Sequence, residues 1–116
     1  MQTAKAKNNF FNILGICYGA GKMTTGSFAV ERSIRKQKAN LVIISKEASA
    51  NTIKKFSNMC ENRNINYIII GDKLELGRAI GKEEQTILSI MDNNFIRLLL
   101  KEIEFLDTGV SSEWLK

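Results

Sequence analysis

Apolar residues recur along this chain at two different periods, and the alternation between them predicts its architecture. Phe10, Phe11, Leu14, Cys17 and Tyr18 fall at helical spacing, with Asn8 or Asn9 as the cap and Gly19-Ala20-Gly21 as the stop. Lys22–Thr25 reads as a short extended link or strand, and Gly26-Ser27 opens a second helix that reaches about Lys38. Leu41–Ile44 is a continuous apolar strand. Ser49 then caps a helix with Ile53, Phe56, Met59 and Cys60 as its inner stripe.

The second half repeats the alternation. Asn64–Asn66 turns into a buried strand at Tyr67–Ile70, which Gly71-Asp72 ends. A short helix follows, with Leu74, Ala79 and Ile80 expected inside and Lys73, Glu75 and Arg78 outside. Gly77 lies within that helix at a cost of about 1 kcal/mol relative to Ala, so a close neighbour should need its missing side chain. A loop at Gly81–Gln85 leads to a strand at Thr86–Ile90. The last helix runs from about Asp92 to Leu106 with Phe95, Leu98, Leu99, Ile103 and Leu106 on one side. Fully apolar strands between helices imply a sheet covered on both faces. The expected fold is a three-layer α/β/α sandwich with a mixed central sheet of about four strands. Residues 1–107 form one domain, and 108–116 read as a C-terminal tail with Trp114 available to dock.

Composition narrows the chemistry. The 116 residues contain no histidine and two cysteines, and 44% are hydrophobic. Cys17 and Cys60 lie in apolar helical patterns and read as buried thiols of a reducing cytoplasm, the expected location. No nucleophile–base pair can be assembled, so no catalytic residue, metal ligand or cofactor is assigned and no small-molecule substrate is expected. No apolar run reaches the ~18 residues that span a bilayer, and a membrane partner is not expected. The segment Gly15–Thr24 resembles a phosphate loop in passing. That motif needs glycine at position 16 and Ser or Thr at 23, where this chain has Ile16 and Met23.

Charge is distributed unevenly. Residues 1–55 carry ten Lys/Arg against two acids, and residues 56–116 carry seven against ten, within a net charge of +5. A basic half points to a polyanion. The start of the second helix concentrates the signal: backbone amides at Gly26, the hydroxyls of Thr25 and Ser27, and Arg32 further along can all meet phosphate. Glu31 and Arg35 stand four apart and can satisfy each other.

The residues Gly21-Lys22, Gly26, Leu41–Ile44, Ala48–Thr52 with Lys54-Lys55, and Gly71-Asp72 with Glu75–Gly81 occur in the order seen in a known group. In them the chain resembles the RNA-binding ribosomal-protein family named for L-seven-Ae and L-thirty-e, and within it the bacterial YlxQ-like branch. The match covers roughly residues 8–106. It implies the same three-layer fold and binding to kink-turn RNA. Archaeal and eukaryotic members open the second helix with Gly-x-Asn-Glu-x-x-Lys, whose Asn, Glu and Lys reach tandem sheared G·A pairs. Here those positions are Gly26, Phe28, Ala29 and Arg32, so the glycine and a cation are kept and the amide and carboxylate are not. The family's second RNA loop falls on Gly81–Thr86, where Glu83 and Glu84 oppose phosphate.

The expected partner is therefore RNA, ribosomal RNA first, with the ribosome as the assembly. Lys22, Thr25, Gly26, Ser27 and Arg32 would hold it. Phe28 would stack or pack inward, and Lys46, Gly81 and Lys82 would frame the other side. The alternative is a non-catalytic protein–protein adaptor on the same fold, favoured by the acidic second half.

Overall fold

A computed structural model describes residues 2–104, and side chains from Lys5 onward. The predicted tail, Trp114 and the last turn of the final helix lie outside the described residues. The elements are α1 (Gln2–Gly19), β1 (Met23–Thr25), α2 (Ser27–Arg35), β2 (Leu41–Ile44), α3 (Ala50–Asn62), β3 (Asn66–Ile69), α4 (Lys73–Ala79), β4 (Ile87–Ile90) and α5 (Asn93–Ile103).

The four strands form one mixed sheet in the order β1-β4-β2-β3. β2 and β3 are parallel, while β4 runs antiparallel to both β1 and β2. Alternate strand residues face opposite layers, as the pleat requires. Leu41, Ile43, Ile68, Leu88 and Ile90 join Phe10, Leu14 and Cys17 of α1, Leu76 of α4, and Leu99 and Ile103 of α5. Val42, Ile44 and Ile87 join Val30 and Ile34 of α2 with Phe56 and Cys60 of α3. The sheet is thus covered by α1, α4 and α5 on one side and by α2 and α3 on the other. A three-layer α/β/α sandwich results. A polar seam crosses the second layer. Thr24 Oγ1 shares a 2.5 Å hydrogen bond with Ser89 Oγ, which donates to Ser33 Oγ of α2 at 3.4 Å.

Several local expectations change. α1 begins well before Asn8, because Ala6 is buried one turn ahead of Phe10 and extends the stripe. Tyr18 is exposed. In α4 the inward residues are Leu76 and Gly77, with Ala79 half-buried against the core and the C-cap Ile80 buried after it, and Leu74 is 50% exposed. Leu74 and Leu76 are about 200° apart around the axis, so they cannot share a face. The reciprocal cap sets this phase: Asp72 accepts from Glu75 N at 2.8 Å, and Glu75 Oε1 accepts from Asp72 N at 3.0 Å. In α5 the stripe is Phe95, Leu99 and Ile103, and Leu98 at its edge is 47% exposed.

Candidate nucleic-acid interface

Because β4 is antiparallel to β1 and β2, the C-terminal ends of β1, β2 and β3 meet the N-terminal end of β4 at one rim. Short backbone bonds tie the four turns there. Gly26 N donates to Ile87 O at 3.1 Å and Ser45 N to Thr86 O at 2.8 Å. Lys46 N donates to Gly71 O at 2.8 Å, and Gln85 N to Lys73 O at 3.0 Å. Glu47 adds a side-chain link, its Oε1 accepting from Lys73 N at 2.8 Å. Segments distant in sequence become one rigid edge.

Gly26 explains how α2 begins. Its φ of 86° and ψ of 157° lie in a region essentially reserved for glycine. With no side chain it cannot cap, and α2 has no side-chain cap bond. By contrast Ser49, Asp72 and Asp92 cap α3, α4 and α5. The amide of Gly26 itself is taken by Ile87 O and, contrary to expectation, is not free for phosphate, whereas those of the first turn of α2 are open at the rim, where the helix dipole adds a partial positive charge. Ser27 is exposed beside them and Thr25 is half-buried, paired with Leu88.

The charged side chains divide by position. Arg32 is exposed one turn beyond Phe28, and Lys46 is exposed on the β2–α3 loop. Arg35 instead binds Glu31, with its Nη2 2.7 Å from Oε2, and Lys55 reaches Oε1 of the same carboxylate at 2.7 Å. Hydrogen bonds from Lys55 and then Arg35 hold Glu31 below the usual carboxylate range. Phe28 is 80% exposed, so it does not pack inward.

Lys22 is not at the rim. Its carbonyl accepts from Met91 N at 2.9 Å, which puts it at the far end of β1, ~13 Å from Gly26 along an extended chain. Gly81, with φ 76°, and Lys82 start the α4–β4 loop on the flank shared by α4 and α1. The Lys82 ammonium sits 5.7 Å from the Tyr18 ring centroid. Their loop reaches the rim only at Gln85-Thr86.

Sequence reasoning missed Ser45, which is fully buried at the end of β2. Its hydroxyl donates to Gly71 O at 3.3 Å and accepts from Glu47 N at 3.0 Å, setting the turn that presents Lys46. A hydroxyl directly after a fully apolar strand was the available signal. Lys36, the C-cap of α2, stands eight positions after Phe28 and lines the same depression as Arg32.

The ribosomal protein L7Ae/L30e/S12e/Gadd45 family matches residues 15–99, and the chain belongs to that family. Within it, the chain is 32% identical over 95 residues to the RNA-binding protein YlxQ of Bacillus subtilis, covering 82% of this chain and 95% of that protein. It is 30% identical over 76 residues to the large ribosomal subunit protein eL8 of Picrophilus torridus, covering 65% and 60% respectively. A solved Bacillus halodurans protein of unknown function superposes with a TM-score of 0.78 at 32% identity, covering 82% of this chain and 96% of that one.

Proposed function

We propose that this protein binds structured RNA through the rim at the start of α2, in a ribosomal RNA setting. The observation that carries this reading is the uncapped N-terminus of α2, with Ser27 and Arg32 exposed on that helix and Lys46 exposed on a neighbouring turn locked to the rim by backbone bonds. Fixed amides and mobile cations together suit phosphate oxygens. Similarity to an RNA-binding protein and to a large-subunit ribosomal protein supports the choice of polyanion. A kink-turn is the RNA to test first. Phe28 and Ala29 offer no hydrogen-bonding side chains, so recognition of the kink would rest on backbone amides, Arg32 and shape.

Binding of a kink-turn RNA and of a matched duplex, followed from low to high salt, tests the proposal. The logarithm of the association constant should fall linearly with the logarithm of salt. Arg32→Ala and Lys46→Ala should each lower the slope by about 1. Lys22→Ala should leave affinity and slope unchanged, given its place at the other end of the sheet. Absence of binding, a salt-independent affinity, or a loss in Lys22→Ala equal to that in Arg32→Ala would overturn the proposal. Equal affinity for the two RNAs would remove the kink-turn while keeping RNA.

A further inference from the structure

We infer that the outer face of α2 is a stacking site for one unpaired RNA base, with Phe28 as the platform and Arg32 and Lys36 on the neighbouring phosphates. The inference rests on the RNA-binding reading and specifies the kind of RNA. Phe28, Glu31, Arg32, Arg35 and Lys36 recur at i, i+3, i+4, i+7 and i+8, one stripe of a helix, and line a shallow depression of about 330 Å³. Phe28 is 80% exposed, whereas Phe10 and Phe56 are buried and Phe11 and Phe95 are half-buried against the core. A phenyl ring has no polar atom, so its exposed surface offers only an apolar π face.

The charges around the ring select the occupant. Glu31 is engaged by both Arg35 and Lys55, so its carboxylate is neutralised where a phosphate would approach. Among the described residues neither Arg32 nor Lys36 forms an ion pair, and both line the same depression as the ring. An aromatic face edged by unengaged cations matches a base joined to its phosphates, since stacking needs only a π face and the cations follow the backbone. The base must be unpaired. Within a duplex both of its faces are covered by neighbours, and the deep, narrow major groove of A-form RNA keeps side chains out. Bulges, loops and strand ends are the RNA elements that expose such a base.

Three RNAs of equal length test this: a continuous duplex, the duplex with one bulged adenosine, and the same bulge made abasic. Wild-type protein should prefer the adenosine bulge. Phe28→Ala should lose about 5- to 150-fold on that RNA, with little change on the other two. Phe28→Tyr, which keeps the ring, should retain the preference. Phe28 is exposed, so thermal melting should confirm that both variants fold as wild type. If Phe28→Ala binds each of the three RNAs as tightly as wild type does, the stacking site is refuted and the face is open to a protein partner. An equal loss on all three RNAs would also refute it. If wild type binds none of them, the underlying RNA reading fails first.

Discussion

Gly77→Ala sets two opposed effects against each other with a sign that the packing decides. In an exposed helix interior this substitution stabilises by about 1 kcal/mol through helix propensity. Here the added Cβ would stand 2.5 Å from Glu83 O, 2.7 Å from Glu83 C and 2.8 Å from Glu84 Cα, all inside the 3.0 Å that real contacts respect. All three are backbone atoms of the α4–β4 loop, and none can rotate away. That loop is anchored on both sides, by Lys82 N to Gly77 O at 2.8 Å and Gln85 N to Lys73 O at 3.0 Å. Overpacking of this kind costs about 1–3 kcal/mol, and a fixed backbone neighbour puts it near the upper end. The net expectation is a loss of about 1–2 kcal/mol, or roughly 5–10 °C in Tm for a domain of this size. Urea and thermal unfolding monitored by circular dichroism measure it. Gly19→Ala is the control: a Cβ there meets nothing within 4 Å, and it should be neutral or mildly stabilising. A Gly77→Ala variant as stable as wild type, or more so, would refute the close approach of loop and helix.

Asp72→Ala should cost about 1 kcal/mol in urea unfolding, because it removes one half of the reciprocal cap on the seven-residue α4. Burial pushes the thiols of Cys17 and Cys60 up to about 11 and about 12, so Ellman's reagent at pH 8 should label neither until urea unfolds the protein. Folded values above the unfolded ~8.5 mean that the thiols' contribution is complete below that pH and lost as pH rises through 9 to 12. Cys60→Ala should therefore lose less stability between pH 8 and 10 than wild type does.

The strands β2 and β4 and the Ser49 cap were legible because each depends on neighbours in the chain: a short, mostly apolar run rich in Ile, Leu and Val, or a hydroxyl three positions from the amide it accepts. The close approach at Gly77 was legible as a penalty without a local reason. What approaches was not, since Glu83 and Glu84 arrive through the following loop. Leu74 and Leu98 were misplaced because an apolar residue near a stripe looks inward until a cap or a packed neighbour fixes the phase. Lys22 shows a different limit. It is four residues from Gly26, and only the direction of β1 within the sheet separates their ends. Ser45 was hidden because its effect passes through a hydrogen bond to Gly71, on a turn twenty-six residues later.

The strand order has a consequence for synthesis. Among the described strands β1 pairs with β4 alone, and β4 is the last of them to be made yet lies between β1 and β2. A nascent chain ending before Ile87 has no ladder partner for Met23–Thr25 and no carbonyl at Ile87 to fix Gly26. The long-range pairing that closes the sheet therefore also assembles the rim. A chain still being translated through α4 thus lacks the assembled rim that is proposed to bind RNA.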